Sequence, residues 1–277
     1  MSTYNRILKK IIFKSKKNLC IGLDPDKNLI PSGYKKNIEG IYNFLIDIIN
    51  YTYDNAIAYK INLAFYECYG KEGWELIEKI IKYIKIKDKE INTKKILIAD
   101  AKRGDIGNTS KKYAKAFFDF FDFDAITLHP YMGIDSILPF IEYQNKGSII
   151  LCLTSNPSNI DFEFYGDPPL YEIVAKKIVE WNRKYDNVMA VIGATNQEEH
   201  LEQLSKILID IPVLVPGIGA QGGNLDIVMK YFKDRALINI GRSILYASNN
   251  IDELPLKINE YLNNYYNKIY KYFNNNE

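Results

Sequence analysis

Ile96-Leu97-Ile98-Ala99-Asp100-Ala101-Lys102, running directly into Arg103-Gly104-Asp105 and then into an apolar-periodic stretch from Ser110 to Phe121, is the segment that decides the fold. Its first part is a short β-branched and apolar run, the composition of a buried strand. Its second part has the spacing of an amphipathic helix, so the two make one βα unit. The unit recurs in both directions along the chain. Strands are expected over Leu19–Asp24, Ala56–Asn62, Ile96–Lys102, Ala125–Leu128, Ser148–Leu153, Val188–Ile192, Pro212–Pro216 and Ala236–Gly241. Helices are expected over Ile41–Tyr53, Trp74–Ile86, Ser110–Phe121, Leu170–Tyr185 and Glu198–Ile209, with a closing helix after Asp252. Eight such repeats over about 220 residues suit a TIM (β/α)8 barrel, whereas an open doubly wound sheet more often has five or six strands.

A single α/β barrel domain over residues 1–277 is the expectation. Segment 1–17 is basic and free of acids, a composition shared with organelle transit segments, but a short helix capping the barrel bottom is the preferred reading. Segment 259–277 is biased toward Asn, Tyr and Lys and reads as a solvated, fraying helix end.

Composition narrows the function. Hydrophobic residues at 47% and charged residues at 25% are an ordinary globular mix. Thirty-six basic and 34 acidic residues are interspersed, so there is no concentrated basic stripe of the kind a nucleic-acid binder needs. No apolar run approaches the ~20 residues that span a bilayer. Cys20, Cys68 and Cys152 are far apart and form no CxxC pair, which fits a reducing cytoplasm, and the first and last lie in apolar runs as small buried hydrophobes. His129 and His200 are too few and too separated for zinc-like ligand spacing, so no metal is expected, and a structural hydrogen bond is the preferred role for His129.

In such barrels the chemistry sits at the C-terminal ends of the strands. Strand one ends in Asp24. Strand two ends Tyr59-Lys60-Ile61-Asn62, and side-chain alternation puts Lys60 and Asn62 on one face. By the same alternation Asp100 and Lys102 share a face. Charges buried at one mouth are tolerable only if they neutralise one another, and flanking carboxylates keep Lys102 protonated as a general acid. A second signal follows strand seven, where Pro216-Gly217-Ile218-Gly219-Ala220-Gln221-Gly222-Gly223 is a glycine-rich turn, and Gly241-Arg242 follows strand eight. Close backbone N–H groups, the Gln221 amide and the Arg242 fork suit a phosphate, which barrels commonly hold at these two loops.

The run Asp100-Ala101-Lys102-Arg103-Gly104-Asp105-Ile106-Gly107-Asn108-Thr109 resembles the D-x-K-x-x-D-I-x-x-T signature of the orotidine 5′-phosphate decarboxylases, longer-chain subgroup. The resemblance extends from Leu23-Asp24 through Lys60 and Asn62 to Pro216, Gln221 and Gly241-Arg242. It implies decarboxylation of orotidine 5′-monophosphate to UMP without metal or cofactor. On that resemblance Asp24 and Lys60 hold ribose hydroxyls with Asn62 beside them, and Asp100 and Lys102 flank the reacting carbon. Ser155 reads the pyrimidine amide edge, with Thr154 adjacent as the competing register. Pro216 lines the base pocket, and Gln221 and Arg242 take the phosphate. The resemblance also implies a homodimer in which Asp105 and Thr109 reach the neighbouring site. With 277 residues leaving no room for an attached phosphoribosyltransferase domain, the preceding step is expected on a separate orotate phosphoribosyltransferase chain, a candidate physical partner.

Two rival readings share these residues. One is a Mg²⁺-dependent phosphosugar enzyme with a similar strand-three motif, such as a keto-gulonate-phosphate decarboxylase or hexulose-phosphate synthase. The other is a non-catalytic nucleotide-binding barrel, disfavoured because buried charges need a purpose.

Overall fold

In the computed structural model, which describes residues 3–274, eight parallel strands close on themselves in chain order. They are β1 (Leu19–Gly22), β2 (Ala58–Asn62), β3 (Ile96–Arg103), β4 (Ala125–Leu128), β5 (Gly147–Leu153), β6 (Val188–Ile192), β7 (Val213–Val215) and β8 (Ala236–Ile240). The ring is sealed where β1 pairs with β8, Cys20 lying opposite Asn239. All eight expected strands are present: β1, β2, β7 and β8 are shorter than expected, β3 and β5 are longer by one residue, and β4 and β6 agree. β7 stops short of Pro212 and Pro216, neither of which has an N–H to give to a ladder.

Alternation along the strands sorts the side chains into two cores. Inward-facing Cys20, Ala58, Ile96, Ile98, Ala125, Ile149, Met189, Val191, Leu214 and Leu237 fill the barrel. Tyr4, Leu8 and Ile12 of the helix Tyr4–Ser15 close this inner cluster from below. The larger core lies between the strands and the surrounding helices, which include Ile38–Thr52, Lys71–Ile91, Leu170–Tyr185 and Glu198–Ile207. Two further helices, Ile134–Ile141 and Leu225–Phe232, the latter directly behind the glycine-rich turn, complete the alternation after β4 and β7.

One expectation is overturned. The helix Leu254–Asn274 is not a solvated, fraying end, because Ile258, Leu262, Tyr265 and Ile269 along it are buried in the main core. Their spacing of four, three and four residues is one face of a helix, hidden in a composition dominated by Asn, Tyr and Lys. Polar ties reinforce the packing: Tyr265 donates to Asn18 Oδ1 at 2.7 Å, and the Tyr266 hydroxyl donates to the carbonyl of Asn55. Residues 275–277 lie outside the described residues.

Ile269→Ala is expected to destabilise the protein by about 2–5 kcal/mol in urea unfolding, the usual cost of deleting a buried branched side chain. A change within about 0.5 kcal/mol, as at a solvated surface position, would return this segment to the status of a tail.

Candidate active site

Two residues up β2, β3 and β4 from inner-layer Ala58, Ile98 and Ala125, the side chains become polar: Lys60, Asp100 and Thr127. Lys60 of β2 pairs across the ladder with Gly22 and Ile98, and Asn62 pairs with Asp100. The Lys60 ammonium is almost fully buried, with its side chain 5% exposed. It donates to Asp100 Oδ2 at 2.9 Å and to Asp24 Oδ2 at 3.5 Å. Asp100 Oδ1 accepts from Lys102 Nζ at 2.6 Å. Asp24, Lys60, Asp100 and Lys102 therefore form one chain of alternating charge across the mouth of the barrel.

The electrostatics are mutual. Burial alone would push the Lys60 ammonium below its ordinary value, but Asp24 and Asp100 outweigh it and hold the group above. Burial likewise pushes the Asp100 carboxyl up, and Lys60 and Lys102 reverse that, holding it well below the usual carboxylate range. Lys102 is the solvent-facing end of the chain, with its side chain 49% exposed.

The reason that Asp100 and Lys102 meet differs from simple alternation. Between β3 and β4 the ladder runs from Ala99 opposite Ile126 to Arg103 opposite Leu128, so Asp100, Ala101 and Lys102 together face Thr127. Lys102 absorbs this bulge in a left-handed conformation, φ 47°. Its amide donates to Thr127 Oγ1 at 3.0 Å, and that hydroxyl lies 3.0 Å from Asp100 Oδ1 as donor. Thr127 escaped the sequence reading. The signal was there, since a polar residue two positions after inward-facing Ala125 must itself face inward.

Asn62 contributes mainly through its backbone: its amide donates to Asp24 Oδ1 at 3.1 Å, while its side-chain oxygen accepts from Ala64 N at 3.2 Å. Asp105 does not join the charge chain of its own subunit. Its Oδ1 accepts from the Ile106 amide at 2.7 Å, and it forms no ion pair among the described residues. Thr109 is exposed on the helix Gly107–Ala114. His129 has a structural contact, Nδ1 accepting from Tyr131 N at 3.1 Å.

After β5 the geometry distinguishes Thr154 from Ser155. The Thr154 amide and hydroxyl are each 2.7 Å from the Glu163 carboxylate, and its carbonyl accepts from Asn159 at 2.9 Å and Asn196 at 3.0 Å. Burial raises the Glu163 carboxyl above its ordinary value, and the Thr154 bonds offset part of that. Thr154 is thus spent on its own loop. The Ser155 carbonyl accepts from Thr195 Oγ1 at 3.0 Å, and its backbone lies against Gly193, where an added Cβ would sit 2.6 Å from Ser155 Cα. Glu163 was not anticipated, because nothing in a loop sequence fixes which residue folds back on which.

Beyond Thr195 at the same mouth, the 216–223 turn is closed by Gly223 N donating to Gly217 O at 3.0 Å and Gly222 N to Gly219 O at 2.9 Å. Gly219 has φ 87°, and an added Cβ would lie 2.5 Å from Ser243 Oγ and 2.9 Å from the Tyr261 hydroxyl, so a side chain here is strained and would displace these neighbours. Gln221 and Arg242 are both exposed, and Arg242 joins no ion pair among the described residues. Pro216 lies at the start of this turn and Gly241 directly precedes Arg242. Among the described residues no cluster of His, Cys, Asp or Glu is arranged to hold a metal ion.

Residues 17–254 match the model of the Orotidine 5'-phosphate decarboxylase / HUMPS family. Among curated relatives, the orotidine 5'-phosphate decarboxylase of Dehalococcoides mccartyi (strain BAV1) is 47% identical over 87% of each chain. That of Christiangramia forsetii is 45% identical over 86% of this chain and 87% of its own. Among solved structures, a putative orotidine-monophosphate-decarboxylase from Toxoplasma gondii superposes with a TM-score of 0.84 at 30% identity, covering 98% of this chain and 97% of the other. The Methanocaldococcus jannaschii orotidine 5'-monophosphate decarboxylase, complexed with the inhibitor BMP, gives a TM-score of 0.63 at 25% identity, covering 89% and 97%.

The depressed carboxyl of Asp100 has a consequence for acid stability. Its contribution is present above the ordinary carboxylate value of about 3.9 and is lost as pH falls through its lower folded value. The difference in unfolding free energy between the wild type and Asp100→Asn should therefore be flat from neutral pH to about 4 and shrink on further acidification. A difference that grows in acid would show that the carboxylate is not stabilised by its two lysines.

The ends of β1, β2 and β3 thus carry one charged row, on a barrel matched by a family model over most of its length: the chain belongs to the Orotidine 5'-phosphate decarboxylase / HUMPS family.

Proposed function

We propose that this chain is an orotidine 5′-monophosphate decarboxylase, releasing CO₂ and UMP. The observation that carries the reading is the Asp24–Lys60–Asp100–Lys102 row, which ends in an exposed ammonium held 2.6 Å from a carboxylate. Loss of CO₂ breaks the bond between C6 and the carboxylate carbon and leaves the electron pair on C6. Catalysis then depends on charge stabilisation of that carbanion. Lys102 meets the developing charge and delivers a proton to C6, to be reprotonated by water. Asp100 fixes the ammonium in place through the 2.6 Å contact. Asp24 and Lys60 bind ribose hydroxyls with Asn62 beside them, Ser155 reads the pyrimidine edge, and Pro216 lines the base.

Gln221, Arg242 and the amides around Gly241 take the phosphate, the role that their exposure and lack of internal ion pairs support. Binding energy from this remote group assembles the reacting centre, so it contributes to rate as well as affinity. The M. jannaschii relative, solved as a complex with the inhibitor BMP, is in keeping with a small-molecule ligand for this fold.

The reading includes a homodimer. Asp105 and Thr109 have no role in their own subunit's charge row, and Ile106, Tyr131 and Met132 near them are exposed apolar side chains suited to burial by a second copy. In that dimer Asp105 supplies a second carboxylate to the partner's Lys102. The three cysteines are unpaired, in keeping with a cytoplasmic setting, and no helix among the described residues is long and apolar enough to cross a membrane.

Purified protein should consume orotidine monophosphate in an ultraviolet absorbance assay with excess EDTA present; activity that vanishes with EDTA would favour the Mg²⁺-dependent phosphosugar reading. Lys102→Ala should abolish turnover and keep UMP binding, and near-wild-type kcat in that variant would remove Lys102 from the chemistry. Arg242→Ala and Gln221→Ala should each lower kcat/KM, by about 1.5–3 kcal/mol for the charge-assisted contact of Arg242. Mixing inactive Lys102→Ala with inactive Asp105→Asn should restore activity through mixed dimers. No recovery after subunit exchange would sink the shared site.

A further inference from the structure

We infer that Thr127 is a positioning residue for the reaction, setting through its hydroxyl the place of the Lys102 ammonium; the inference rests on the decarboxylase reading. Where β3 spends four residues from Ala99 to Arg103, β4 spends two from Ile126 to Leu128. The surplus detaches the Lys102 amide from the ladder and leaves it in the left-handed region, φ 47°, which a residue with a side chain rarely adopts. An amide so displaced needs another acceptor.

Thr127 provides it. Its side chain is buried, with the residue 2% exposed, and it sits opposite the bulge. Oγ1 accepts from Lys102 N at 3.0 Å, which commits a lone pair and turns the hydroxyl hydrogen toward Asp100 Oδ1 at 3.0 Å. The same Oδ1 accepts from Lys102 Nζ at 2.6 Å. The result is a closed ring that begins at the backbone of Lys102 and returns to its own side chain. Lys60 holds the other carboxylate oxygen at 2.9 Å, so the plane of Asp100 is fixed on both sides.

Isosteric loss of the hydroxyl breaks the ring at two bonds. The bulge amide is left unsatisfied, Asp100 Oδ1 loses a donor, and the ammonium is no longer referenced to the backbone that carries it. Misplacement of a reacting group by about 1 Å costs on the order of 100-fold in rate. Nucleotide binding, which depends on other residues, is untouched.

The test compares Thr127→Val and Thr127→Ser with the wild-type protein. Thr127→Val should lower kcat about 100-fold while the Kd for UMP changes less than about threefold and the melting temperature stays within a few degrees. Thr127→Ser, which keeps Oγ, should recover most of the lost kcat. Three results would overturn the inference: a Thr127→Val kcat within about threefold of wild type, a kcat loss matched by an equal loss of UMP affinity, or a serine variant no better than valine. If Thr127→Val fails to fold, the serine variant decides alone, since a kcat as low as that of Lys102→Ala with UMP binding intact would also refute it. Failure of the wild-type protein to decarboxylate orotidine monophosphate would instead sink the functional reading.

Discussion

A lysine ammonium buried between two carboxylates is the constraint on which the rest of this structure depends. Lys60 sits where a TIM barrel normally continues its apolar filling, and its side chain is 5% exposed. An unpaired ion there would cost several kcal/mol, and removing one partner of such a pair typically costs about 3–5 kcal/mol. Asp24 and Asp100 must therefore stand at fixed distances on the neighbouring strands. That fixes the register of β1, β2 and β3 to one another, with Gly22 opposite Lys60 and Asp100 opposite Asn62. It also leaves Asp100 with a second oxygen to share, and Lys102 takes it. The exposed ammonium is held by a carboxylate that is itself held by a buried one.

The barrel was legible because its two periods are written plainly. Short β-branched runs alternate with helical spacing, and no other common architecture repeats that unit so many times. The charge row was legible for a related reason: Lys60, Asp100 and Lys102 fall at strand ends, where isolated charges make no physical sense. The tight turn at 216–223 could be read from its glycines, of which Gly219 is favoured by its left-handed backbone and by the closeness of Ser243 and Tyr261.

The rest was hidden for identifiable reasons. Alternation correctly joined Asp100 to Lys102 but gave the wrong cause, since a bulge depends on how many residues two strands spend between the same rungs, and one strand cannot report that. Thr127 was readable by parity but lies in a strand of four residues, too short for a pattern to stand out. The fold-back of Glu163 onto Thr154 depends on loop register. The helix Leu254–Asn274 was obscured by composition: Asn and Lys dominate its exposed positions and mask the apolar stripe beneath.

That helix also bears on how the barrel is made. Translation delivers β1 early and β8 late, so a nascent chain carries an unsealed edge at β1 for most of its synthesis, a template for mispairing with other chains. The side chains that latch the seam, Tyr265 on Asn18 before β1 and Tyr261 beside Ser243 after β8, emerge later still. Closure is thus left to the last-made element, and the anion-suited turn gains its backing only when the seam shuts.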